Sequence, residues 1–459
     1  MVALSPSRNM RDAPDPALTP SASDEGATSS APQSIWSRVV WTGLVVAALL
    51  APLPFGAVQK WAWTALLVVA LALLIVWAVG SANNHVVRLY WCPLYVPAAL
   101  FLVLGAIQFF DHRTLDPFAT RESLLNLTAN LIYFFLAGQV LACGSGRELP
   151  RFGWVVVVYA FLLSLFAVVQ FFSGDGLLYW SVQPRWGGAV FGPYVNHNHY
   201  AGLMEILIPI GAAYVLSRPQ GHPGKALLGF AVLVPTASLL LSGSRGGLIS
   251  LLVEGLILAV VLLRGSPVSR RQSLVVASTL GIVFAGVLFF WLAPQSVTRR
   301  LGSVVDLFYS PEISLGDRFR VSEDSLRIFR DHPWLGTGLG SFEAVFPEYQ
   351  SFPSDLRYDH AHDDYAEALT ETGLVGGALI VLALWLFFRS AFRNLNERLE
   401  DEIGWIQIGA ALGCCGLLVH SLVDFNLHIP ANAVWFAVSF GIATSFSERS
   451  RPGRQSPPG

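Results

Sequence analysis

Charge is scarce in this sequence. Lys, Arg, Asp and Glu make up 13% of its residues, about half the share of an ordinary soluble domain. A length of 459 residues would suit two or three soluble domains, but so few charges cannot cover that much surface. The balance is also flat, with 29 basic against 31 acidic residues. No broad basic field results, and no nucleic-acid partner is expected. Cysteine is scarce as well. Cys92, Cys143, Cys414 and Cys415 show no Cys-x-x-Cys spacing and lie in or at the end of apolar runs. That argues against a disulfide scaffold or a zinc knuckle. Low hydrophobicity, the mark of disorder, is missing from most of the chain, and no internal repeat is visible.

What fills the chain instead is a series of long apolar runs. Val39–Gln59, Trp61–Asn84, Leu89–Phe110, Ser123–Gly146 and Phe152–Gly174 carry no charged residue. Nor do Ala226–Ser244, Gln272–Val297, Thr372–Phe388, Ile403–Val423 and Phe425–Ser447. His199–Leu216 and Gly246–Leu263 carry one Glu each, Glu205 and Glu254. Crossing a bilayer takes roughly 20 apolar residues. The runs lack the period-2 alternation of barrel strands, so they are read as helices. The fold class predicted is an all-α polytopic membrane protein with about twelve transmembrane helices and one long periplasmic loop containing short helices. A charge inside a span is costly; Glu205 and Glu254 are read as protonated or Arg-paired groups that hold helices together.

Basic residues set the topology. With the N-terminus cytoplasmic, 17 Lys and Arg fall on the inside, five in short outside loops, and the other seven of the 29 in one long outside segment. Both termini are therefore expected in the cytoplasm. The predicted organisation is a disordered tail (1–35), helices one to nine (36–293), a periplasmic loop (294–371), helices ten to twelve (372–447) and a short tail (448–459). The start of the chain is rich in Pro, Ser, Ala and Asp and lacks the basic and apolar pattern of a signal peptide.

Chemistry-bearing residues gather on the outside. Asp317–Asp331 reads as a helix with Phe319, Ser322, Leu326 and Phe329 on its apolar face, a Glu323–Arg327 pair, and Pro333 as its stop. Gly336-Thr337-Gly338-Leu339-Gly340 reads as a flexible turn; it follows no strand, so dinucleotide binding is weakly indicated. Tyr358 to Tyr365 packs two His and three Asp into one short stretch. Arg185 to Tyr200 brings Arg185, Asn196, His197 and His199. Ser242-Gly243-Ser244-Arg245-Gly246-Gly247 offers backbone N–H groups beside a guanidinium, which are the parts of a phosphate site.

Taken together, these stretches resemble the O-antigen ligase/polymerase superfamily. The similarity lies in Gly192–His197, the Ser-Arg-Gly-Gly turn, Pro333–Gly340, His360–Tyr365 through Glu371–Gly376, and His420–Phe425, in that order. It covers roughly residues 36–447. The resemblance implies a bacterial inner-membrane glycosyltransferase that takes a glycan from a polyprenyl (undecaprenyl) diphosphate carrier. The acceptor is lipid A-core in ligases of lipopolysaccharide assembly, another carrier-linked repeat in polymerases, or a protein hydroxyl. It implies a metal-independent inverting reaction with His362 as general base and Arg245 and Arg318 on the donor diphosphate. No cofactor and no metal is expected. Arg185, Asn196, His197, His360 and Asp363 are the further substrate-binding candidates. Family ligases place Asn, Ser or Gln after the His, nine residues before a Gly. Here Asp363 takes that place before Gly373, and a carboxylate there would favour protonated His362 or orient its ring.

Alternatives remain open. His360-x-His362-Asp363 and His197-x-His199 have spacings that can ligate zinc. Twelve helices also suit a transporter, though no inverted repeat is seen. Ligase and polymerase are not separated by the sequence. Asp424 and His428 read as ordinary helix-end residues, with Pro430 opening the last helix.

Overall fold

The computed structural model describes residues 35–83, 89–142, 146–184, 190–219, 221–264, 315–354 and 357–445. The run at 272–297, both tails, Arg185 and the loop before 315 lie outside these residues.

Helices are the regular elements of the described chain, with two isolated bridges, Leu178–Val182 and Phe191–Tyr194, as the only β pairing among the described residues. The helices are α1 (Ile35–Leu50), α2 (Lys60–Asn83), α3 (Tyr95–Phe110), α4 (Pro117–Ala142), α5 (Glu148–Ser173), α6 (His197–Ser217), α7 (Lys225–Ser242) and α8 (Arg245–Arg264). There follow α9 (Leu315–Asp331), α10 (Phe342–Tyr349), α11 (Asp364–Ala391), α12 (Glu402–His420) and α13 (Pro430–Thr444). Eight of them are long and apolar enough to cross a membrane. The other three apolar runs among the described residues form the shorter helices α1, α3 and α13. The chain is an all-α polytopic membrane protein.

Burial sorts the spans into rings. The apolar windows of α6 and α12 are 78% and 83% buried, against 17% for α2, so α6 and α12 form the centre. Without a hydrophobic drive between helices in lipid, close contact depends on small residues. Gly409 and Gly413 of α12 supply it four residues apart. A Cβ on Gly413 would come within 2.8 Å of the Ile206 Cα, and one on Gly409 within 2.8 Å of the Ile210 Cα. In this core the Glu205 carboxylate meets the His420 Nδ1 at 2.7 Å. The partner of Glu205 is thus a histidine on a neighbouring helix, not an arginine. Glu254, equally buried, meets no hydrogen-bond partner among the described residues.

The segment from α9 to the start of α11 has a small core of its own: Val321, Ile328, Phe342, Val345, Phe346, Phe352, Tyr358 and Ala361. It corrects the helical face expected for α9. Phe319 is 74% exposed and Leu326 44%, while Val321, Asp324, Ser325 and Ile328 are fully buried. The two polar residues are tolerated because they are bonded: Asp324 accepts the Ser351 N–H and pairs with Arg327, and the Ser325 hydroxyl donates to the Val321 carbonyl. The Glu323–Arg327 pair forms at 3.2 Å.

The Pro333–Gly340 turn is not loose. Gly373, at φ 61°, breaks α11, and the turn inserts into the break. Thr337 and Gly338 donate to the carbonyls of Thr370 and Glu371, and Leu374 and Val375 donate to those of Pro333 and Trp334. Gln108 of α3 fastens both partners, donating to the Leu335 and Glu371 carbonyls at 2.6 and 2.7 Å and accepting from the Leu339 N–H at 3.1 Å. The glycines are required here because Gly336, Gly338 and Gly340 all sit at positive φ.

Candidate active site at one end of the bundle

Helix ends converge around the turn 421–425. The Asp364 N–H donates to the Ser421 carbonyl at 2.9 Å, which brings the start of α11 to the end of α12. Gly246, in the first turn of α8, packs against the His420 ring and Val423. His197, the first residue of α6, bonds the Ser242 carbonyl at the end of α7 at 2.6 Å. Asn432 of α13 donates to the His199 carbonyl at 2.9 Å.

Asp424 lies at the middle of this junction and is 1% exposed. One carboxylate oxygen accepts the Phe425 N–H at 2.8 Å and lies 3.7 Å from the His199 Nε2; the other lies 3.9 Å from Arg318. Burial opposes its charge, yet His199, His420 and Arg318 hold its carboxyl well below the usual carboxylate range. Arg318, in the first turn of α9, also donates to the Val423 carbonyl at 2.6 Å. The polar helix α9 is thereby tied to the turn between α12 and α13.

His362 stands on the same junction. Its backbone is left-handed, φ 54°, a conformation rare for a residue with a side chain and concentrated at functional sites. Its ring meets Phe425 edge-on at 5.0 Å, and its Nδ1 has no hydrogen-bond partner among the described residues. Burial pushes the imidazole down from 6.5 to about 4; Asp424 acts against the fall and Arg318 adds to it. The expectation that Asp363 would hold or charge this ring does not match the geometry. Asp363 is the N-cap of α11, and its oxygen accepts the Tyr365 and Ala366 N–H groups at 3.0 and 3.1 Å.

The remaining candidates fall in three places. Arg245 opens α8 as an exposed residue. The preceding Gly243 closes α7 at φ 73°, and the Ser244 hydroxyl accepts the Gly247 N–H at 3.1 Å. Asn196 is the N-cap of α6, accepting the Asn198 N–H at 2.8 Å. His360 belongs to a second cluster beside the junction, with its Nδ1 2.8 Å from a Glu367 oxygen. That oxygen also lies 3.3 Å from the His428 Nε2, and the His428 Nδ1 bonds Asp364 at 2.8 Å. Burial acts to lower both imidazoles, but Glu367 outweighs it. His360 is raised, and His428, with Asp364 adding to the effect, is raised to about 10. Among the described residues no group of three or more potential metal ligands contains both members of either His-x-His pair; His360 instead meets Glu367 and His428.

By sequence pattern Asp424 and His428 read as helix-end residues, and Glu367 carries no signal. The available signal for Asp424 was its place in the His420–Phe425 motif. Glu367 and His428 are 61 positions apart, and no spacing rule joins them.

Residues 230–381 match the family model described as O-antigen ligase. The stretch runs from α7 into α11 and contains Arg245, Arg318, His360, His362 and Asp363. No curated protein matches the chain. The family's chemistry is glycan transfer of the ligase or polymerase type, with polyprenyl-linked glycan donors and glycan acceptors. That match, on a helical membrane bundle with a cluster of ionisable groups at one end, makes the chain similar to the O-antigen ligase/polymerase superfamily over this stretch.

Proposed function

We propose that the chain moves an oligo- or polysaccharide from a polyprenyl diphosphate carrier to an acceptor hydroxyl at the periplasmic face of a bacterial inner membrane, in the manner of an O-antigen ligase. The observation that carries the reading is a buried imidazole, His362, packed on Phe425 in the same turn to which the Arg318 guanidinium is fixed through the Val423 carbonyl. The acceptor oxygen attacks the anomeric carbon from the face opposite the leaving group. The carbon–oxygen bond to phosphate breaks, and its electron pair departs with the lipid diphosphate. The hydroxyl proton goes to His362, and the anomeric centre inverts. Arg318 and Arg245 neutralise the charge that develops on the diphosphate, so the step needs no metal. An imidazole at about 4 is by itself a weak base. A bound diphosphate adds negative charge beside it and raises its proton affinity where that is needed.

Asn196 and Asp363 support the reading as helix caps that aim His197, His199 and His362 at the junction, and His360 flanks it. Repeat-unit polymerisation is the second reading, since it differs only in the acceptor. The test is transfer from a purified lipid-linked donor, in membranes, to lipid A-core and to a second carrier-linked repeat. His362→Ala should abolish both at matched protein level; wild-type turnover would remove His362 from the chemistry.

A further inference from the structure

His360, Glu367 and His428 come from three separate segments: the extramembrane loop, the first turns of α11, and the short 3-10 turn Asn426–His428 ahead of α13. The donor atoms of all three lie within 4.8 Å of one another. The Glu367 oxygen stands 2.8 Å from the His360 Nδ1 and 3.3 Å from the His428 Nε2. Ligand atoms held at about 2.0–2.1 Å around a tetrahedral zinc are roughly 3.3 Å apart, and both Glu367 distances are close to that spacing.

The outer contacts also suit a metal. A metal-bound histidine ordinarily gives its other ring N–H to a carboxylate, and the His428 Nδ1 bonds Asp364 at 2.8 Å. The second oxygen of Glu367 is held by the Ala361 N–H at 2.7 Å, which leaves the first aimed at the two rings. Glu367 is 2% exposed, while the His360 and His428 side chains are 25% and 34% exposed. The carboxylate is thus fixed from below, and the imidazole edges leave access for an ion and an exchangeable fourth ligand. Two nitrogens and one oxygen favour zinc among the common divalent ions.

We infer that His360, Glu367 and His428 form a zinc-binding site that clamps the extramembrane loop to α11 and to the turn before α13. The ion would lie beside the transfer site and take no part in the reaction. Its role would be to hold the loop that carries His362, two residues from His360, against the turn that carries Asp424. The inference does not depend on the transfer reading, because zinc binding is measured without any glycan.

The experiment uses the full chain, purified in detergent with any affinity tag removed. Zinc chloride is titrated by calorimetry, bound metal is counted by mass spectrometry after dialysis, and thermal unfolding is followed with and without zinc. Wild-type protein should bind about one equivalent and unfold at a higher temperature with zinc. Glu367→Gln and His428→Asn should each lose the site and the thermal shift. Asp364→Asn, which leaves the three ligands intact, should weaken binding about 10- to 100-fold. If Glu367→Gln fails to fold, His428→Asn and Asp364→Asn carry the test. Folded wild-type protein that neither retains zinc nor shifts would overturn the inference. So would variants that bind as wild type does, with the trio then serving as a hydrogen-bonded carboxylate between two histidines.

Discussion

Replacing Arg318 with Lys keeps the charge and removes the fork. In the wild type one nitrogen of the guanidinium is committed to the Val423 carbonyl at 2.6 Å, and the same nitrogen lies 3.9 Å from Asp424. A planar group with five donors can hold that carbonyl and still present N–H groups to a phosphate. A lysine has one nitrogen and cannot occupy both places. The variant should lose about one hydrogen bond to a charged partner, roughly 1.5–3 kcal/mol. At about 1.4 kcal/mol per factor of ten, kcat/KM should fall roughly 10- to 150-fold. Because the leaving diphosphate gains charge in the transition state, most of the loss should fall on kcat. Arg318→Ala is a poorer probe. At 3.9 Å and an effective dielectric near 20, a pair of unit charges interacts by about 4 kcal/mol, so truncation leaves Asp424 under-compensated and threatens the fold. The assay is transfer from a lipid-linked donor in membranes, with variant and wild type matched by quantitative blot. An Arg318→Lys protein within about twofold of wild type would refute the clamp, since charge alone would then suffice. Loss confined to KM for the acceptor would refute it too.

Three further outcomes are expected. Gln108→Leu strips three hydrogen bonds from the joint between the glycine turn and the break in α11; at about 1 kcal/mol each it should lower stability by about 3 kcal/mol, read as earlier thermal unfolding and faster proteolysis of the loop. Gly413→Ala places a Cβ 2.8 Å from the Ile206 backbone and should cost about 1–3 kcal/mol by overpacking; an unchanged melting temperature in detergent would contradict the central role of the α6–α12 contact. The third concerns pH. His362 takes up its proton only near pH 4, so kcat/KM should stay level as the pH falls through 6.5 and decline only well below it. A cation at the neighbouring trio would move His362 in the same direction, and a midpoint near 6.5 would show an ordinary exposed imidazole.

The membrane class was legible because it depends on composition alone. Runs such as Trp61–Asn84 are uninterrupted by charge, and a bilayer leaves a single hydrogen-bonded solution for them. The helix at Leu315–Asp331 was legible for its period and its Pro333 stop, but its buried face was not. Asp324 and Ser325 are buried there through bonds to Ser351 and Val321. Hydropathy assigns such residues to solvent, because it does not register a partner 27 positions away. The glycine-rich turn reads as flexible for a related reason. Three glycines permit many conformations, and the break in α11 at Gly373 selects one.

Local sequence determined that the chain is a helical bundle for lipid, and it made Arg245, Arg318 and His362 stand out where charge is rare. These follow from runs, periods and short motifs, and each is a property of neighbouring residues. Tertiary structure decided the rest. It put Asp424 between His199 and Arg318, drew His428 to Glu367 and Asp364, and turned Asp363 from a presumed partner of His362 into a helix cap. Helix ends distant in sequence meet only once the bundle has packed. The electrostatics of buried groups depend on distances of a few ångströms, which no spacing along the chain records.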